Sequence, residues 1–182
     1  MNTLAKLWGV IDYRLTTAIS TIPDVEVWLS SVALVLVLML ISLPIGFYMG
    51  FLEVELLKAS RQKIVSVMAI CLLSPAITEE LFFRILLLPQ PTENANSATV
   101  WLWGVISLAM FIVYHPLNAL SFYPAGLKTF FNPAFLLLAA LLGVICSIVY
   151  LQSGSLWPPV LIHWLVVVVW LLLLGGYGKL NV

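Results

Sequence analysis

Charge is scarce in this sequence. Only 9% of its 182 residues are charged, where an ordinary soluble domain carries about a quarter. Eight basic residues balance eight acidic ones, so there is no basic excess to recruit nucleic acid, and nucleic acid is not expected as a partner. There are two histidines and two cysteines. Cys71 and Cys146 both fall in apolar runs; they read as buried thiols and leave the redox compartment open. The sequence has no HExxH spacing, no internal repeat and no low-complexity segment. What it has instead is hydrocarbon: 63% hydrophobic residues and a mean hydropathy of +1.12, the composition of an integral membrane protein, with membrane lipid as its first partner.

Taking about 20 apolar residues as the length of a crossing, five spans are expected, near Val27 to Phe51, Ile64 to Leu88, Ala98 to Tyr114, Pro133 to Leu151 and Ser155 to Leu174. The first is not read as a cleaved signal peptide, because Asp24 and Glu26 precede it and no small-residue cleavage site follows. The second contains Pro75, which should bend it. The third ends at His115-Pro116, and a longer loop from Asn118 to Asn132 follows it. Pro158 and Pro159 suit the first turn of the last helix, and Gly175-Gly176 suits its end. Leu4, Leu7, Trp8, Ile11, Leu15, Ala18, Ile19 and Ile22 recur at helical spacing, which reads as an amphipathic helix lying in the interface; a short helix packed on the bundle is the competing reading. The fold class is thus all-α, a polytopic transmembrane helical bundle of about five spans plus an N-terminal interfacial helix. Residues 1–26 form the N-terminal segment and 27–182 the transmembrane domain. Lys58, Arg61, Lys63, Lys128 and Lys179 share one side, which the positive-inside rule makes cytoplasmic, together with the C-terminus.

The second span carries Glu79-Glu80-Leu81-Phe82-Phe83-Arg84. An ionised group in hydrocarbon costs several kcal/mol, so such a cluster faces a cavity or a partner. Glu79 and Glu80 are about 100° apart on a helix, whereas Glu80 and Arg84, four residues apart, share a face and can neutralise each other. That leaves Glu79 to point into a cavity. His115 and His163 lie on other spans, and with Glu79 they make a converging polar set. Two chemistries could use it. Glu79 and a histidine could activate water while the other histidine serves the developing oxyanion, or Glu79, His115 and His163 could ligate zinc. The bland readings are an interhelical polar clamp for the charged residues, a helix cap for His115 and a core histidine for His163.

The Glu79 to Arg84 run resembles the EExxFR motif of the CPBP intramembrane proteases, the CAAX proteases and Abi-like bacteriocin-processing enzymes. Phe111-Ile112-Val113-Tyr114-His115 is similar to that family's FxxxH motif, and Ser153-Gly154-Ser155-Leu156-Trp157-Pro158-Pro159 leading to His163 resembles its last block. The three occur in the family's order over roughly Ile70 to Leu172, with a flavour of cyanobacterial and plastid members. The resemblance implies a glutamic-type endopeptidase with no essential metal, acting on a peptide or protein substrate, prenylated ones included, in a plasma or thylakoid membrane. It implies that Glu79 and His115 activate water and that His163 stabilises the oxyanion, with Glu80 and Arg84 in support.

There is one departure. The family's last motif is HxxxN, and Val167 stands where the asparagine would complete the oxyanion hole. Loss of one such donor costs about 10²–10³ in rate, unless another donor substitutes, with Asn118 and the indole of Trp164 as candidates. The departure keeps a second class open, a non-catalytic scaffold or pseudoprotease of the same fold. A proton-coupled transporter is a third, although no inverted repeat supports it. Depth adds a condition. At about 1.5 Å per residue, the expected boundaries scatter Glu79, His115 and His163 across the membrane, and they meet only if the third helix continues past Pro116.

Overall fold

Proline 75 has no N–H to offer the carbonyl of Cys71, and the residue before a proline is pushed out of the helical region. In the computed structural model, which describes residues 3–180, Ser74 accordingly takes extended backbone angles (φ −142°, ψ 120°). The second span is therefore broken rather than merely bent. Helix α3, Arg61–Cys71, leads into the interrupted turns of Leu72–Ile77. A short α4, Thr78–Glu80, follows and is prolonged by a wide, π-type stretch over Leu81–Leu86.

The remaining helices are α1, Thr3–Ser20; α2, Val25–Tyr48; α5, Ser97–Ser121; α6, Leu127–Phe130; α7, Pro133–Ser153; α8, Trp157–Leu173; and α9, Gly176–Leu180. Their starts are set by side chains that satisfy otherwise unpaired N–H groups. Asp24 caps α2, Ser60 α3, Asn96 α5 and Asn132 α7. No strand forms among the described residues; a single bridge joins Glu55 to Leu174. Four helical stretches are long and apolar enough to cross a membrane, and α8 is a shorter apolar helix of 17 residues. With outward-facing residues such as Leu40 and Trp101 each 75% exposed, this is a polytopic helical bundle and an integral membrane protein.

The third span corrects the expected boundary. It does not stop at Tyr114, because its buried stripe of Ser107, Phe111, His115 and Ala119, four residues apart, continues through Pro116. The packing of that stripe outweighs the missing hydrogen bond, and α5 runs to Ser121. Most of the expected loop from Asn118 is therefore helix or tight turn.

Helix α7 is the centre, packing against α2, α5 and α8. Helix α1 docks by its second half. Ala18 is fully buried, its carbonyl accepts from the Leu156 N–H at 2.9 Å, and Trp157 Nε1 donates to the Ile19 carbonyl at 3.0 Å. Arg14 grips Glu93 with two bonds of 2.6 and 2.8 Å and donates to the Leu86 carbonyl at 2.9 Å. The first half of α1 leaves Leu4, Leu7 and Trp8 exposed.

Arg14→Gln should therefore loosen the docking of α1 and lower stability by about 1–2 kcal/mol, a charged hydrogen-bond loss discounted for partial exposure. Thermal unfolding of purified protein in detergent measures it, and an unchanged midpoint would show that α1 does not depend on this grip.

Candidate active site

Glu79 and Glu80 follow the break at Ser74, so their helix starts in a new direction and carries them into the middle of the bundle. Glu80 and Arg84 pair at i, i+4, with Glu80 Oε2 and Arg84 Nε 3.1 Å apart. Both side chains are essentially without solvent, at 0% and 1% exposure. The burial of such a pair is offset in part by contacts to its other polar atoms, although Arg84 Nη1 has no hydrogen-bond partner among the described residues. Arg84 Nη2 donates to the Gly143 carbonyl of α7 at 3.0 Å, and its guanidinium lies over the Phe111 ring at 4.6 Å. A Cβ at position 143 would crowd this contact, sitting 2.9 Å from the Leu108 side chain and 3.3 Å from the guanidinium.

The same Glu80 reaches α8. Its Oε1 accepts from His163 Nδ1 at 2.7 Å, a link that sequence spacing does not reveal. The other ring nitrogen, Nε2, faces Glu79 Oε2 at 3.9 Å. The two carboxylates thus diverge as helical geometry requires, yet address opposite edges of one imidazole. Glu79 Oε2 is buried with no hydrogen-bond partner among the described residues.

His115 is held differently. Its Nδ1 lies 2.8 Å from the Phe111 carbonyl one turn back. A carbonyl can only accept, so Nδ1 carries the proton and Nε2 keeps a lone pair. The ring is boxed by Phe111, Tyr114, Phe130 and Phe135, with centroids 4.9 to 5.9 Å away. His115 is therefore neither a helix cap nor at a helix end.

Glu79, His115 and His163, from three different helical segments, line one cavity of about 450 Å³, and Asn118 and Val167 line it too. Glu80 and Arg84 stand behind this wall. The set offers a carboxylate without a partner, an imidazole lone pair and a second imidazole oriented by a carboxylate, which is the equipment of general acid–base chemistry on water. No three His, Cys, Asp or Glu side chains among the described residues are grouped so as to hold a metal ion. Of the candidates to substitute for the missing asparagine, Trp164 is already committed, its Nε1 donating to the Met68 carbonyl at 2.8 Å. Two cavity groups were not singled out from the sequence. Ser42 Oγ on α2 and Trp170 Nε1 on α8 are both buried without a hydrogen-bond partner among the described residues. Nothing local marks them; only their hydropathic setting does.

A helical membrane bundle with a buried acid–imidazole cluster opening on a cavity has the parts that hydrolysis inside a membrane requires. The family model for type II CAAX prenyl endopeptidases, Rce1-like, matches residues 61–169, more than half of the chain, and the chain belongs to that family. The match spans Glu79, His115, His163 and Val167, and leaves α1, α2 and Trp170 outside. Comparison with curated proteins gave no match, and comparison with solved structures gave none either.

Arg84→Met should be costly, about 3–5 kcal/mol, because it leaves Glu80 buried without its cation. Adding Glu80→Gln should recover part of that loss, since the amide oxygen can still accept from His163. Paired unfolding measurements on the single and double variants decide it; a double variant less stable than Arg84→Met would refute the charge argument.

Proposed function

We propose that this protein is a working CAAX-type intramembrane endopeptidase that hydrolyses a peptide bond with water activated by Glu79 and His115. The observation that carries the reading is the meeting of Glu79, His115 and His163 on one cavity wall. Water adds through its oxygen to the scissile carbonyl carbon while its proton passes to the Glu79 carboxylate, with the His115 lone pair as the second base at the site. The carbonyl π pair moves onto oxygen, giving a tetrahedral oxyanion. Its collapse breaks the C–N bond, and the proton is delivered to the leaving amine.

Glu80 accepts from Nδ1 of His163 and so orients the ring, leaving Nε2 on the side of Glu79. A proton at Nε2 lets it donate to the oxyanion, whereas a ring protonated at Nδ1 alone would present a lone pair and repel it. In this reading the reaction needs no metal ion. The partners are membrane lipid and a peptide or protein chain, in a plasma or thylakoid membrane. Val167 favours one other reading, a pseudoprotease scaffold that binds substrate without cutting it.

Purified protein in bilayers should cleave a prenylated CAAX peptide or a membrane-protein substrate, and Glu79→Gln should reduce turnover by at least about 10²–10⁴-fold, the usual worth of a general base. Equal cleavage by variant and wild type would remove Glu79 from the mechanism. Binding without any cleavage by the wild type would favour the scaffold.

A further inference from the structure

Most asparagine side chains among the described residues are spent on the chain itself. Asn96 and Asn132 cap α5 and α7, accepting from the N–H groups of Thr99 and Ala134, and Asn94 Nδ2 donates to the Thr92 carbonyl. Asn118 differs. Its carboxamide bonds to nothing among the described residues, and it lines the cavity. Its main chain, by contrast, is pinned where α5 ends. The Asn118 carbonyl accepts from the N–H groups of Phe122 and Tyr123 at 2.8 and 2.9 Å, and the adjoining Ala119 is fully buried.

Local helix geometry sets its place beside the proposed base. Asn118 follows His115 by three residues, so their Cβ atoms are about 5–6 Å apart on one face of α5, and both line the cavity. Helical side chains lean towards the N-terminus, which carries the carboxamide back over the turn that holds His115. The polar atoms of Ser42 and Trp170 are sealed from solvent, whereas Asn118 is half-buried and its amide atoms keep access to the cavity.

The rest of the wall is chiefly apolar, and its other polar side chains are a carboxylate, imidazoles, hydroxyls and an indole. A carboxamide alone among these holds a donor and an acceptor side by side in one plane. That is the complement of an extended peptide residue, whose N–H and C=O lie on the same edge. An oxyanion, which only accepts, would use half of it.

We infer that the Asn118 carboxamide binds the substrate main chain, accepting from the N–H and donating to the C=O of one extended residue beside the scissile bond, and so holds that bond against Glu79 and His115. The inference deepens the protease reading and rests on it. Asn118 is then a binding residue on α5, and the oxyanion is left to His163 on α8.

The test uses Asn118→Leu, similar in shape without the amide, and Asn118→Ala as a second variant. No bond among the described side chains is lost, so neither thermal midpoint should fall. Cleavage of the substrate peptide in bilayers should show KM raised about tenfold with kcat nearly unchanged, the mark of binding shared by ground and transition states. Binding of the same peptide to the Glu79→Gln chain should weaken by a similar factor when Asn118→Leu is added. Peptides with one amide at a time replaced by an ester then locate the contact. One such ester, lacking the N–H, should bind about fivefold worse to the chain with Asn118 and no worse to the chain carrying Asn118→Leu. Unchanged KM and binding in both variants overturn the proposal, and a fall in kcat alone would make Asn118 a transition-state donor instead. Equal ester losses in the two chains also overturn it. Binding that depends on Asn118 without cleavage by the wild type sustains the contact and removes the protease reading. A peptide neither cut nor bound removes both.

Discussion

Two carboxylates and a guanidinium taken out of water set the terms for the whole bundle. Burying the Glu80–Arg84 pair carries a desolvation penalty of several kcal/mol per ion, offset only as far as the remaining lone pairs and protons find partners. Arg84 Nη1 finds no hydrogen-bond partner among the described residues, but the contacts the pair does make come from distant parts of the chain. Gly143 of α7 offers its carbonyl, Phe111 of α5 its ring face, and His163 of α8 its Nδ1 proton. The charged pair therefore fixes where three other helices must lie, and the bare backbone at Gly143 is the local condition that lets α7 come close enough.

The site follows from what that arrangement leaves over. Glu80 is held by its ion pair with Arg84 and its hydrogen bond from His163. Glu79, one residue earlier and turned by about 100°, receives only the 3.9 Å approach of His163 Nε2 and keeps a buried oxygen free. One acid holds the architecture and the other faces the cavity, and neither could do so if the pair were separated by three or four residues. The break at Ser74 contributes by redirecting the helix just before them, and its extended residue is the one before Pro75, which proline sterics disfavour from the helical region.

Much of this was legible from local rules. Hydropathy places the membrane helices, the i, i+4 spacing of Glu80 and Arg84 predicts their pairing, and the two glycines after Leu174 end α8 as expected. The rest depends on contacts between residues remote in sequence. Pro116 reads as a stop when taken alone, because its missing N–H is visible and the buried stripe from Ser107 to Ala119 is not. That one misplaced boundary also scattered the three site residues in depth, and the longer α5 removes much of the difficulty. The bond from His163 to Glu80 crosses 83 positions and leaves no trace in spacing. The bond that commits the Trp164 indole to the Met68 carbonyl crosses 96 positions and leaves no trace there either.

Stability and transition-state binding are carried here by different residues, which bears on how a valine can occupy position 167. Val167 packs beside the apolar cluster of Val67, Cys71, Val168 and Leu171, where an isopropyl group is at no disadvantage and a carboxamide would have to be desolvated. A member of the charged set has no such freedom, because removing it strands an ion in hydrocarbon. A donor to the oxyanion is needed only while the oxyanion exists, and any fixed N–H within reach can provide it. The fold therefore constrains the charges tightly and the donor loosely.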